Sequence, residues 1–255
     1  MDQNISILIP SCDNYSDLWA PFFKCFFKYW PDCPYQIFLG VNKKPFSYPG
    51  VSVINTGLDN GYSQNLREYL DFLDNDIVLV WIEDRFLKDQ VSNEKIDEAV
   101  KYFKKNNLDF LKLITGHPYS YSNSKNQIFS PLNQNEHYWV CLTIALWKKS
   151  TLYKIANLSD TAWDLEKFGT KFAKEKKLKF YSISYPYKYS PAIFDKHLLI
   201  KGKLTLDSIT YLRNENIISV LRTREKQSLM SFIYVFIYNK FFDMLSKIKN
   251  MIQKL

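Results

Sequence analysis

The sequence predicts an α/β fold: a mostly parallel sheet flanked by helices, with a C-terminal helical tail. Three observations predict it. Near-continuous apolar runs such as Ile77-Val78-Leu79-Val80-Trp81-Ile82 read as strands buried on both faces. These runs alternate with segments of helical period through the first half of the chain, which is the pattern of parallel strands joined by crossovers. The stretch 228–255 is dense in aromatic and apolar residues at first and basic-amphipathic afterwards, as one long helix would be.

Ile5 to Pro10 is a short apolar strand, Asp17 to Trp30 an aromatic helix, and Tyr35 to Val41 and Val51 to Asn55 two further strands. Tyr62 to Leu73 places Leu66, Tyr69, Leu70 and Leu73 on one helical face, and the strand Ile77 to Ile82 follows. Glu94 to Lys105 carries acids early and lysines late, matching the helix dipole. Leu108 to Ile114 and Tyr138 to Leu146 read as strands, the second leading into a short helix from Ser150 to Ala156. Between those strands lies a long polar, Pro-punctuated loop, and loops of that length are usually functional or disordered. The expected organisation is one domain over 1–226, divided at 90/91 into two halves, then the tail at 227–255.

The 255 residues are 46% hydrophobic, enough for a full core, and their formal charge of +8 suits an anionic partner. Cys12, Cys25, Cys33 and Cys141 form no CxxC pair, which argues against a zinc site or a disulfide framework and for a reducing, cytoplasmic setting. The start "MDQNISILIP" lacks signal-peptide character, and no run reaches the ~18 apolar residues of a membrane span. The basic residues are not interleaved with a stacking motif, so nucleic acid is not the expected partner. No P-loop, GxGxxG or HExxH occurs.

The strand ending "VWIEDRFL" runs straight into Glu83, Asp84 and Arg85. Acids at the carboxyl edge of a parallel sheet lie where such sheets bind ligands, and carboxylates are the ligands that Mg²⁺ and Mn²⁺ prefer. Two other segments leave strand ends: "IPSCDNY", with Pro10, Ser11, Asp13 and Tyr15, and "GLDNGYSQN", with Asp59, Gly61, Gln64 and Asn65 at a helix start whose N–H groups favour anions.

That order of "PSCDNY", "GLDNGYSQN" and "IEDR" resembles the nucleotide-sugar half of GT-A fold glycosyltransferases of the surface-polysaccharide or O-antigen kind, over roughly residues 4 to 170. The resemblance implies that the first loop and an Asp from the next segment, Asp13 or Asp59, hold the base and ribose of UDP. It also implies that Asp84 binds Mn²⁺ or Mg²⁺ under the diphosphate. Here the usual Asp-x-Asp is replaced by adjacent Glu83 and Asp84, only one of which can share a strand face. Arg85 would then supply part of the positive charge. "AWDLE" looks like the element that carries the general base of inverting members, with Asp164 and Glu166 as candidates and Trp163 as a floor for a sugar ring. The same stretch is a good helix start capped by Ser159 or Asp160. In similar enzymes a His or basic residue closes over the diphosphate, a role that falls on His197 and Lys201, with Lys203 beside them.

The expected function is transfer of a sugar from a UDP-sugar to a hydroxyl of a growing glycan or lipid-linked acceptor, with inversion. Tyr119, Tyr121 and Trp139 are candidate acceptor contacts. The alternative of the same sheet type, a nucleotidyltransferase, normally carries a Gly-rich loop with Arg or Lys after the first strand, and "PSCDNYSDL" has neither. The tail is expected to pack, to form a homodimer contact, or to lie peripherally on an anionic inner-membrane surface.

Overall fold

The structure is a computed structural model that describes residues 5–114, 120–121, 128–133, 138–185, 198–200, 202–228 and 230. It divides into two compact units, Met1–Phe194 and Asp195–Leu255. The first contains, in order, β1 (Ile5–Pro10), α1 (Ser16–Tyr29), β2 (Gln36–Val41), β3 (Val51–Asn55), α2 (Tyr62–Asp71), β4 (Ile77–Val80) and α3 (Asn93–Lys105). It continues with β5 (Phe110–Lys112), β6 (Ser120–Tyr121), β7 (Phe129–Pro131), β8 (Ala145–Lys148), α4 (Lys149–Ala156), α5 (Ala162–Glu175) and β9 (Phe180–Tyr185). The second contains the antiparallel pair β10 (Leu199–Ile200) and β11 (Lys203–Leu204), then α6 (Leu206–Asn214) and α7 (Ile218–Thr223).

The strands of the first unit form one sheet in the order β3-β2-β1-β4-β8-β5-β9-β6, with β7 also on β9. β3, β2, β1 and β4 are mutually parallel. β8 runs antiparallel between β4 and β5, and β9 returns parallel to β5. The expected mostly parallel sheet flanked by helices is therefore present, with β8 and β7 running against the other strands.

Alternation along the strands assigns the two faces. Leu8, Val78, Val80, Phe110, Ala145 and Trp147 face one way and pack under α2, α4 and α5 through Leu66, Tyr69, Leu152, Ile155, Leu165 and Ala173. α1 covers the opposite face with buried Leu18, Trp19, Phe22, Phe23 and Phe26. Their rings continue edge-on into Phe86 and Trp81, 5.7 Å between centroids in each case. α3 lies beside α1, tied by the Trp30 indole donating to Asn93 Oδ1 at 2.7 Å. This aromatic packing accounts for the Phe and Trp of "PFFKCFFKYW".

Two strand boundaries differ from expectation. β4 ends at Val80 because Arg85 N–H donates to Ile82 O and the Trp81 indole to Arg85 O, closing a turn over Ile82–Arg85. The expected strand Tyr138–Leu146 is a strand over Ala145–Lys148. Its first residues are irregular backbone whose N–H groups go to α5 side chains instead of to a neighbouring strand. The second half also contains β9, between β5 and the short strands β6 and β7, which the apolar periodicity did not mark. Among the described residues no helix is long and apolar enough to cross a membrane. The expected tail helix lies outside the described residues apart from Ser228 and Met230, as do His117, Tyr119, His137, His197 and Lys201.

Candidate functional site

Three segments that the sequence singled out meet at the carboxyl ends of β1, β3 and β4. Pro10 closes β1 inside the sheet, and Ser11 N–H continues its ladder onto Gly40 O at 3.0 Å. The Ser11 hydroxyl donates to Glu83 Oε1 and accepts from the Trp19 indole, 2.8 Å each. Its carbonyl accepts from the Tyr69 hydroxyl at 3.2 Å. Glu83 is 8% exposed and reaches across to the β1 loop. Asp84 is half-buried and Arg85 buried, both carried by the turn, so strand-face alternation does not separate the two acids.

Asp13 organises the neighbouring loop. Its carboxylate accepts from the backbone N–H groups of Asn42, Lys43 and Lys44 at 3.1–3.3 Å. Asn42 Oδ1 in turn accepts from Asp13 N–H, while the buried Asn42 Nδ2 has no hydrogen-bond partner among the described residues. Tyr15 is half-buried at the end of this loop, its N–H on Cys12 O. Burial raises the Cys12 thiol above its ordinary value, with Glu83 and Asp59 adding to the shift, so both acids lie close to Cys12.

The entry to α2 is knitted by its own side chains. Asp59 Oδ1 accepts from Gly61 N–H at 3.1 Å and from Asn65 Nδ2 at 2.8 Å, and Asn65 Oδ1 accepts from Asn60 N–H. Gly61 has φ +91°, a left-handed value that favours glycine, and turns the chain into the helix. One N–H that the sequence offered to an anion is already taken: Ser63 N–H donates to Asp160 O at 3.3 Å. Gln64 is exposed and bonded along its helix to Arg67 and Glu68, rather than at the sheet edge.

α5 supplies the other side. Its N-cap is Thr161, not Ser159 or Asp160: the Thr161 hydroxyl accepts from Asp164 N–H and donates to Asp164 Oδ2 at 2.8 Å. Ser159 bonds the Ser63 hydroxyl at 2.9 Å instead, clamping the α5 entry to α2. Glu166 lies one turn further in, and its Oε1 accepts from Leu142 N–H at 2.7 Å. Trp163 is 77% exposed on the first turn of α5, whereas Trp139, an expected acceptor contact, is buried with its ring stacked on Phe180.

Two buried groups show how these parts converge. The Tyr62 hydroxyl has no hydrogen-bond partner among the described residues. Burial pushes it far above its usual range, and the charges of Glu83 and Glu166 add to that, so the phenol lies near both acids. Burial pushes the Cys141 thiol up to about 12, Glu166 adding to the shift while Lys112 and Arg85 oppose it. Glu83, Arg85, Lys112, Glu166, Tyr62 and Cys141 therefore lie near one another at the edge, the first three buried and the others half-buried. Sequence reasoning found Glu83, Arg85 and Glu166. It missed Lys112, which is 0% exposed at the end of β5 and reads locally as the polar member of an apolar strand.

Among the described residues no group of three or more His, Cys, Asp and Glu side chains is arranged to hold a metal ion. Ions of the Mg²⁺ or Mn²⁺ kind are held by one or two carboxylates with substrate phosphates completing the shell, and Asp84, half-buried at the end of β4, is the candidate carboxylate for one.

No protein-family model and no curated protein matches the sequence. Solved structures are similar to it at the level of fold. S. aureus TarS matches with a TM-score of 0.46 and 10% identity over 71% of this chain, which spans 36% of the TarS chain and, in a second match, 61% of its 1–349 fragment. A UDP-glucose pyrophosphorylase complexed with UDP-glucose matches with a TM-score of 0.49 and 6% identity, over 84% of this chain and 98% of that one. A mannosyltransferase from Pyrobaculum calidifontis, in complex with GDP-Man and Mn²⁺, matches with a TM-score of 0.47 and 9% identity, over 72% and 55%. The solved structures similar to this chain thus include both a sugar transferase and a pyrophosphorylase.

Proposed function

We propose that this chain is a glycosyltransferase that moves a sugar from a nucleoside diphosphate, UDP by the sequence resemblance, to a hydroxyl of a growing or lipid-linked glycan, with inversion. The observation that carries this reading is that Val80 pairs with Ala145, so Glu83, three residues beyond β4, and Glu166, bonded by Leu142 N–H three residues before β8, lie at one end of the sheet beside Tyr62. Donor-binding and proton-accepting groups must lie within one substrate's length of each other, and this edge supplies both.

In this reading the loop Ser11 to Tyr15 and the segment Asp59 to Asn65 frame the nucleotide. The Asp13 carboxylate acts mainly by fixing the loop after β2, since three backbone amides already occupy it. Asp84 is the carboxylate that would hold a divalent ion at the diphosphate. A bound ion would neutralise charge on the leaving diphosphate, and Arg85 adds its positive charge beside it. Glu166 takes the acceptor proton: one of its oxygens is anchored by Leu142 N–H, which orients the other, whereas Asp164 is engaged with the Thr161 cap. Trp163, exposed one turn before Glu166, offers its face to an acceptor sugar ring.

The test is titration calorimetry with UDP and Mn²⁺ followed by UDP-sugar turnover. UDP binds the unmodified chain, and Asp84→Asn loses turnover strongly while its unfolding midpoint stays unchanged. Glu166→Gln loses about 10²–10⁴ in turnover with UDP affinity retained. Loss in Asp164→Asn but not in Glu166→Gln moves the role to Asp164. Turnover of a nucleoside triphosphate with a sugar phosphate, and none of UDP-sugars, overturns the reading in favour of nucleotidyl transfer.

A further inference from the structure

The geometry points to Ser63 and Ser159 as a pair of positioning residues: one buried bond between their hydroxyls sets the acceptor-side helix α5 against the donor-side entry of α2. Their role rests on the reading above, in which the segment Asp59 to Asn65 frames the nucleotide and Glu166 takes the acceptor proton. A transferred sugar and the base that activates its acceptor must be in register, and a misplacement of about 1 Å costs about 10²-fold in rate.

Ser63 is the second residue of α2 and has no exposed surface, and Ser159 is 8% exposed in the connection from α4 to α5. Their hydroxyl oxygens are 2.9 Å apart. The backbone repeats the contact, because Ser63 N–H donates to Asp160 O at 3.3 Å. One turn further along α2, Arg67 Nη1 donates to Ala156 O at 3.0 Å. Three hydrogen bonds thus lay the chain from Ala156 to Asp160 along the first two turns of α2. The approach is close, since a Cβ on Gly61 would lie 3.3 Å from Asp160 O. The same first turn of α2 holds the donor segment, with Gly61 N–H and Asn65 Nδ2 both donating to Asp59 Oδ1. At the other end of the connection Thr161 caps α5, and Trp163 and Glu166 follow within two turns of that cap. From Asp59 to the start of α5 the path therefore runs through Gly61 or Asn65, then Ser63 and Ser159, every step a hydrogen bond or a few residues of backbone. The Ser63–Ser159 bond is the step that crosses from one side to the other through side chains.

A double-variant cycle read in both stability and turnover tests the pair. Ser63→Ala and Ser159→Ala each strand one buried hydroxyl and lower the unfolding midpoint by about 5 °C, whereas the double variant removes both hydroxyls and recovers most of that loss. Turnover of UDP-sugar does not recover with it: kcat of the double variant stays down about tenfold while UDP affinity by calorimetry remains within about twofold, because Asp59 keeps its own bonds to Gly61 and Asn65. Ser159→Thr, which keeps the hydroxyl, holds kcat within about threefold of the unmodified chain. Recovery of kcat together with the midpoint in the double variant would make the pair structural only and overturn the positioning role. UDP affinity that falls in step with kcat, or midpoint losses that simply add, would overturn it as well. Absence of UDP-sugar turnover in the unmodified chain overturns the functional reading and with it the positioning role, while the midpoint cycle still decides whether the two hydroxyls are coupled.

Discussion

Between β1 and β4 the sheet edge is held by groups that follow directly from its own strands. The Ser11 hydroxyl holds Glu83, the Asp13 carboxylate collects the amides of Asn42, Lys43 and Lys44, and the Trp81 indole closes the turn at Arg85. Beyond β4 the edge is held by a helix. Thr170 and Glu166, one turn apart on α5, accept three backbone N–H groups of Trp139, Val140 and Leu142, a segment with no strand partner of its own. The first arrangement is local to strand ends and keeps the loops short. The second lets a segment leave the sheet and still have its buried amides satisfied, which makes room for a polar cluster where a strand would otherwise continue.

The largest effect expected from this contrast is at Thr170. Thr170→Val keeps the shape and removes the acceptor of two buried amides, at about 1–3 kcal/mol for each group left unpaired. The unfolding midpoint should fall by on the order of 10 °C. UDP affinity, which depends on the other half of the edge, should stay within about twofold, because distant sites with no shared partners act independently. If UDP affinity falls as steeply as the midpoint, the two halves are not held separately.

The same contrast explains what could be read from the sequence. The order β1, α1, β2, β3, α2, β4 was legible because each strand is an apolar run and each helix has one apolar face, signals carried within ten residues or so. The acids of "IEDR" and "AWDLE" were legible as a candidate site for the same reason. β8 was misplaced towards Tyr138 because apolar Trp139, Val140 and Leu142 look like strand residues, and whether they pair with a strand or with α5 is decided by Thr170, about thirty residues away in sequence. Lys112 was passed over because one lysine in a short apolar strand gives no hint that the strand end is fully buried. The cap at Thr161 was missed by one or two residues, the usual uncertainty at helix ends.

A second, smaller effect belongs to the first half of the sheet. Gly40 lies in β2 directly under Tyr69, and a Cβ there would sit 2.5 Å from ring carbons Cδ2 and Cε2 and 2.6 Å from Cζ. The ring is a rigid plate pinned at its far end by the bond from its hydroxyl to Ser11 O, so it cannot move aside without losing that bond. Gly40→Ala should cost about 1–3 kcal/mol, as overpacking does, and should loosen the Ser11 loop, weakening UDP binding as well as lowering the midpoint. Combining it with Tyr69→Leu, which removes the plate, should make the added methyl nearly neutral. A Gly40→Ala variant that binds UDP normally would separate Tyr69 from the donor loop.

The smallest effect is expected at the matching glycine of the second half. Gly169 on α5 faces Ile155 of α4, and a Cβ there would lie 2.5 Å from Ile155 Cγ2 and 3.0 Å from Val140 Cγ2. The contact is as close as at Gly40, yet the two sites differ in what must give. Here the neighbours are single methyl groups, one on α4 and one on the irregular segment before β8, which small side-chain and axis shifts can relieve, and alanine in mid-helix recovers about 1 kcal/mol of propensity over glycine. Set against an overpacking cost of about 1–3 kcal/mol, the net loss for Gly169→Ala should be near 1 kcal/mol, a midpoint shift of a few degrees. In an Ile155→Ala background the new methyl enters space that the substitution has opened, so its sign should reverse and the double variant should be more stable than Ile155→Ala alone. Because α5 also carries Glu166, any axis shift would show as lower UDP-sugar turnover at unchanged UDP affinity. A Gly169→Ala variant as unstable as Gly40→Ala, or one still destabilising after Ile155→Ala, would show that α5 is locked in place as rigidly as the ring of Tyr69.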